Sequence, residues 1–139
     1  MRVMNRIDGM IEDFKEARVV YMTTFRDGKE ESRQMTNFNE DPYKVMWFPT
    51  YRNTKKVDDI KRDPKVLITF PSSKKGVYFE IEGRAEFEDE ATTARKWRWW
   101  YLYWRPDQRR RFWFPAGVSD PNRVIINVHP LSVRTVKEG

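Results

Sequence analysis

The chain contains no cysteine and a single histidine, His129. That removes disulfides, thiolate nucleophiles and zinc sites built on Cys or several His, and most triad and metal chemistry goes with them. No apolar run approaches the roughly 18 residues that span a bilayer, and the first ten residues hold no apolar stretch of the secretory kind. A cytoplasmic protein is expected. Redox work by a chain so equipped needs a cofactor that carries the electrons itself.

What the sequence does hold is a globular balance, with 39% hydrophobic and 35% charged residues, too apolar for a disordered chain and too polar for a membrane one. Its 139 residues fit one domain spanning 1–139, so every element has to share one core. The formal net charge of +6 suits nucleic acid, an anionic membrane surface or a small phosphorylated ligand equally. Placement says more than sign, because positive residues cluster over 52–56 and 95–111.

Apolar Ile7, Met10, Ile11 and Phe14 keep the three-and-four spacing of a helix over residues 4–17. Residues 18–25 are β-branched and aromatic, and Asp27-Gly28 then predicts a tight hairpin into a second strand over 30–37. After the turn cluster Asn39-Glu40-Asp41-Pro42, a third strand over 44–48 is expected to stop near Pro49, which cannot donate to a ladder. Asn53 or Thr54 can cap a helix reaching Arg62, with Val57 and Ile60 inward and Pro64 ending it. Residues 66–70 form a compact apolar strand, and 77–88 a long one with Phe79, Ile81, Gly83, Ala85 and Phe87 on one side. A helix over 91–104, broken at Arg105-Pro106, precedes strands over 124–128 and 131–136 either side of Pro130. Six or seven strands with three helices describe a mainly β, α+β domain: a closed or partly closed antiparallel barrel with helices at its ends.

Residues 50–56 read Thr-Tyr-Arg-Asn-Thr-Lys-Lys, where the third strand gives way to a helix. A helix N-terminus offers unpaired N–H groups and partial positive charge, which suits a phosphate. Thr50 and Thr54 add hydroxyls, and Lys55 and Lys56 add compact positive charges. The plainer alternative is a capped helix whose lysines face water. Lysines in a first turn oppose the helix dipole, however, so without an anion they cost stability.

At these residues the sequence resembles the pyridoxamine 5'-phosphate oxidase-like, FMN-binding split-barrel family, its general-stress-protein branch in particular, over nearly the whole chain. The most specific stretch is Trp47-Phe48-Pro49-Thr50, followed by Asn53-Thr54-Lys55-Lys56-Val57, Ile60, Asp63-Pro64-Lys65-Val66 and Phe70-Pro71. Further matches are Arg33-Gln34-Met35-Thr36, Gly83-Arg84-Ala85-Glu86, and Phe112-Trp113-Phe114-Pro115-Ala116-Gly117 leading to Asp120-Pro121. The resemblance implies a six-stranded antiparallel split β-barrel with peripheral helices, forming a homodimer with FMN at the subunit interface. It implies that Lys55, Lys56 and Thr54 hold the FMN phosphate, with Thr50 and Arg33 assisting. Backbone at Gln34, Met35 and Thr36 would run along the ring, Phe48, Pro49, Asn53 and Tyr78 would adjoin the cofactor, and the partner subunit's Trp113 would wall the pocket.

Two departures limit what carries over. Tyr78 stands where many oxidases have a phosphate-contacting Gln, and the C-terminal Trp and Arg segment that grips pyridoxal has no counterpart after Leu131. The flavin site transfers and vitamin B6 oxidation does not. The implied function is that of an FMN-dependent oxidoreductase or flavin reductase, with a small-molecule substrate or a nicotinamide nucleotide. The alternatives are a non-catalytic flavin-binding stress protein, or a relative holding a deazaflavin or haem.

Within residues 96–104, helical spacing puts Trp97, Trp100, Tyr101 and Trp104 on one face and Trp99 and Tyr103 on another, so cover is needed on two sides. Packing between subunits or over a flavin supplies it, in keeping with a small domain whose aromatic content is 15%. The competing readings are single-stranded nucleic acid, with Arg109, Arg110 and Arg111 on phosphates, and ordinary core with solvated arginines; nucleic acid is not favoured. His129, near a strand end, reads as structural. The acidic residues Asp58, Asp59, Glu80, Glu82, Glu86 and Glu88 are expected on exposed faces, so no paired-carboxylate or metal site is assigned and the catalytic residue stays open.

Overall fold

The structure, a computed structural model, describes residues 4–99 and 122–138. In chain order it runs α1 (Met10–Glu16), β1 (Val19–Arg26), β2 (Lys29–Thr36), β3 (Met46–Tyr51), α2 (Lys55–Arg62), β4 (Lys65–Pro71), β5 (Val77–Phe87), α3 (Glu90–Trp99) and β6 (Arg123–Lys137). The six strands form one antiparallel sheet in the order β2-β1-β4-β5-β6-β3. The sheet curls into a split barrel, and β2 and β3 are its two edges.

Alternation along the strands builds the interior. Met22, Ile68, Ile81 and Val133 form one row across β1, β4, β5 and β6, and the first three are fully buried. Each such side chain contributes about 1.5–3 kcal/mol by leaving water. Helix α1 closes one end of the interior: its Phe14 meets Phe70 edge to face at 5.0 Å, and Phe70 in turn meets Phe79 at 5.4 Å. As the alternation of β5 predicts, Phe79, Ile81, Gly83 and Ala85 point inward.

The Asp27-Gly28 hairpin forms as expected, with φ of 51° and 79° at its two central residues and Arg26 opposite Lys29. A two-residue turn with both φ positive fixes register in the sense that matches strand twist. Register in turn puts Arg33 opposite Met22 and Glu31 opposite Thr24, so both charged residues lie on the side of the sheet that carries the core. A slip of one residue would turn them to the opposite face.

Four expectations need correction. Helix α1 begins at Met10, because Gly9 at φ 84° sets its start and residues 5–8 precede it as irregular chain. Strand β3 begins at Met46 and continues through Pro49, opposite Ile125, to Tyr51; as an edge strand it tolerates a residue with no N–H to donate. The two expected C-terminal strands are one, β6, which passes through Pro130 because the register shifts opposite Glu82 and Gly83 and leaves Leu131 as the extra residue. His129 therefore lies mid-strand opposite Arg84, with Nε2 3.3 Å from Glu86 Oε2. Helix α3 starts at Glu90, with Asp89 accepting the Thr92 N–H at 2.7 Å. The aromatic face expected to 104, Arg109–Arg111 and Trp113 lie outside the described residues, as do the side chains of 97–99.

Gly83 is required by space. A Cβ there would stand 2.5 Å from Val128 Cγ1 and 3.0 Å from the His129 carbonyl oxygen, where β5 and β6 press together. Gly83→Ala is expected to cost roughly 1–3 kcal/mol through overpacking, seen as a lower urea midpoint at unchanged slope.

Candidate functional site

Helix α2 follows β3 through a short turn and lies against β1. Val57 and Ile60 anchor it, with 1% and 3% of their surface exposed. Its buried arc is wider than those two positions and takes in a carboxylate: Asp59 is 1% exposed. Asp59 does not lie on the open face expected for it, and Glu80, Glu82 and Glu88 are also half-buried. A buried charge has to be paired and hydrogen-bonded, and the hairpin supplies both. Arg26 Nε stands 2.6 Å from Asp59 Oδ1, and Thr24 Oγ1 donates to Oδ2 at 2.8 Å. Arg33 Nη1 donates to that same Thr24 oxygen at 2.8 Å. Burial pushes the Asp59 carboxyl up, but the hydrogen bonds from Thr24 and Arg26 with the Arg26 and Arg33 charges outweigh it, and the group sits below the usual carboxylate range.

The outer part of the cluster is charged as well. Lys55 Nζ lies 2.6 Å from Glu31 Oε2, which also has Arg33 Nη2 at 3.7 Å. The hydrogen bond from Lys55 is the main reason the exposed Glu31 carboxyl is held low. Lys56, half-buried beside Arg33, finds no carboxylate partner among the described residues. Its ammonium is pushed below the usual lysine range, first by desolvation and then by the Arg33 charge. Among the described residues Arg26, Arg33 and Lys55 thus pair with Asp59 and Glu31, and Lys56 adds a further cation beside Arg33. The start of α2 is open in the same place: Thr54 is the extended N-cap residue, its hydroxyl donates to the Tyr51 carbonyl at 2.9 Å, and no side chain caps the first turn. An open cleft of about 570 Å³ borders the cluster, lined by Arg26, Lys29 and Lys55 together with Asp27, Glu30, Glu31 and Asp59.

Of the residues singled out in the sequence, the fold brings Arg33, Lys55 and Lys56 together with the Thr54 end of α2. Thr50 precedes them on β3, buried opposite Val124, and Asn53 is exposed in the turn. Phe48 and Met35 give their side chains to the core, so only their backbone faces outward, and Pro49 is half-buried beside them. Gln34 and Thr36 lie on the outer face of β2, where the Gln34 amide reaches Tyr21 Oη at 3.4 Å. Tyr78 does not join them: it lies three strands from β2, on β5 between Pro71 and Val136. Arg52, grouped with the lysines by sequence, turns instead to α3, with Nη2 2.7 Å from Glu90 Oε2. Sequence reasoning missed Thr24, Arg26, Glu31 and Asp59. The inward alternation of Val20, Met22 and Thr24 was the available signal, since a buried hydroxyl needs a partner.

Comparison with known proteins adds the lineage. Residues 5–135 match the family described as pyridoxamine 5'-phosphate oxidase like. The chain belongs to that family. It is 30% identical over 121 residues to general stress protein 26 of Bacillus subtilis, covering 85% of this chain and 79% of that protein. The crystal structure of general stress protein 26 from Bacillus anthracis superposes with a TM-score of 0.68 at 26% identity, covering 93% and 92% of the two chains. At 14% identity, which speaks for the fold alone, a pyridoxamine 5'-phosphate oxidase-related, FMN-binding protein from Nostoc punctiforme gives 0.62 over 91% of this chain and 79% of that one. Other neighbours in fold are described as an FAD-binding protein from Mesorhizobium loti and as an F420 reductase. No helix among the described residues is long and apolar enough to cross a membrane.

The buried carboxylate makes the family member's stability depend on pH. A folded-state pKa below the unfolded one gives a contribution present above the ordinary value of 3.8 and lost as pH falls through the folded value. The stability gap between the wild type and Asp59→Asn is therefore expected to be widest near neutrality. It should close on acidification below about pH 4 in urea titrations run from about pH 7 to about pH 2.5.

Proposed function

We propose that the protein binds FMN by its phosphate at the start of α2 and works as an FMN-dependent oxidoreductase or flavin reductase, as a cytoplasmic homodimer with the cofactor between subunits. The observation that carries the reading is Lys56, half-buried beside Arg33 with no carboxylate of its own among the described residues. A phosphate monoester carries about −1.5 to −2 charges at neutral pH, which suits the adjoining cations Arg33, Lys55 and Lys56.

Lys55, Lys56 and Thr54 hold the phosphate in this reading, with the uncapped N–H groups of the first turn, while Thr50 and Arg33 assist. Strand β2 is a sheet edge, so the backbone of Gln34, Met35 and Thr36 has unpaired groups to set along the ring edge. FMN, once bound, supplies the hydride or electron transfer. The residues described here bind and orient it. Fold and family membership leave open a flavin binder without turnover, and steady-state oxidation of NADH or NADPH separates the two.

Protein that stays colourless after incubation with FMN overturns the proposal. Lys56→Ala is expected to weaken FMN binding by roughly 10- to 100-fold, the worth of a charge-assisted hydrogen bond, with riboflavin, which lacks the phosphate, barely affected. Glu31→Gln releases Lys55 from its carboxylate and is expected to tighten FMN by about two- to fivefold, the scale of an exposed ion pair. Both follow from quenching of flavin fluorescence.

A further inference from the structure

We infer that Thr24 and Asp59 are positioning residues for Arg33, holding its guanidinium so that one nitrogen is kept for the ligand's phosphate; the inference rests on the FMN reading above. An arginine on an edge strand has many rotamers, and ordering it costs up to about 2 kcal/mol of side-chain entropy unless it is held beforehand. Here it is held at one end. Arg33 Nη1 donates to Thr24 Oγ1 at 2.8 Å, and the Thr24 hydroxyl donates its own proton to Asp59 Oδ2 at 2.8 Å. An ionised carboxylate can only accept, so Asp59 dictates which way the hydroxyl points and leaves its lone pairs to Arg33. Asp59 is itself fixed by Arg26 Nε at 2.6 Å.

The arrangement is not the one that would hold Arg33 most tightly. Arginine pairs best with a carboxylate through two parallel bonds, yet Asp59 gives its close contact to Arg26 and meets Arg33 through a hydroxyl. The other nitrogen, Nη2, is 3.9 Å from Asp59 and 3.7 Å from Glu31 and, although buried, has no hydrogen-bond partner among the described residues. A buried charged donor left in that condition costs stability. It is a hydrogen-bond donor in reserve, desolvated and ion-paired with Glu31 and Asp59, next to the half-buried Lys56. Asp59 follows Lys56 by one helical turn on α2, so the same carboxylate fixes the helix that carries one phosphate cation and the hydroxyl that aims the other.

The test compares FMN with riboflavin in the wild type, Thr24→Val, Thr24→Ser and Asp59→Asn. Thr24→Val keeps the shape and removes both hydrogen bonds; it is expected to weaken FMN by about 5- to 20-fold, the worth of one to two hydrogen bonds, and to leave riboflavin within about twofold. Thr24→Ser restores the hydroxyl and should bind FMN as the wild type does, while Asp59→Asn should lose FMN selectively. Equal losses for both flavins mean a merely structural role and overturn the inference, as does a Thr24→Val protein that binds FMN normally. Should Thr24→Val not fold, Thr24→Ala, which introduces no extra bulk, gives the same comparison. A wild type that fails to prefer FMN over riboflavin defeats the phosphate reading itself, whereas a wild type that prefers it and a Thr24→Val protein that prefers it equally defeats only the positioning role.

Discussion

One carboxylate, removed from water, ties three elements of this fold together. Asp59 belongs to α2, Thr24 and Arg26 to β1, and Arg33 to β2. A buried ion pair is weak evidence for net stability, because desolvation can cancel the attraction, but it is intolerant of a missing partner. It therefore acts on geometry. Any other seating of α2 on the hairpin would leave a carboxylate or a guanidinium buried and unpaired, and the helix start inherits that precision. The apolar anchors Val57 and Ile60 press α2 down, whereas the charges decide where along the strands it rests.

The environment of Lys56 follows from the same seating. Had Asp59 faced water, Arg26 and Arg33 would be free to spread into solvent, and Lys56 would lie at an ordinary exposed helix start. With α2 drawn in, Lys56 is half-buried against Arg33 and both causes of its lowered pKa, desolvation and a like charge, come from one packing event. Glu31 moderates the result from outside, on a long and exposed side chain. Membership of the pyridoxamine 5'-phosphate oxidase-like family sets the fold around this corner; the charge balance inside it is a property of these particular residues.

Much of this was legible beforehand, and what was missed has common causes. Strand alternation marked the inward residues of β5, and Asp27-Gly28 marked the hairpin and hence the register of Arg33. Both are local signals, written within a few residues. Pro49 and Pro130 misled because a proline stops a central strand but not an edge strand or a bulge, and whether β3 is an edge depends on the whole sheet order. Asp59 was missed for a similar reason. Its partners are 26, 33 and 35 residues away in the chain, so no window around α2 shows that a carboxylate there will be paired. Tyr78, matched to a cofactor position by resemblance, lies three strands from Arg33 in the sheet order.

That separation bears on why a second subunit belongs in the reading at all. Within one chain the phosphate corner has cations, an uncapped helix start and a strand edge, all of them polar. A flavin ring also needs apolar walls, because ligand pockets bury most of their ligand against hydrophobic and aromatic surface. Phe48, Met35 and Ile60 are committed to the core. In the proposed reading the described residues offer cations to a phosphate and backbone to a ring edge, and the faces of the ring would be covered from outside them. A surface with exposed Val19 and Tyr21 on the outer side of the same hairpin sheet is of the kind that a second copy covers. The polarity of the corner among the described residues is thus one ground for the proposal that the site is completed between chains.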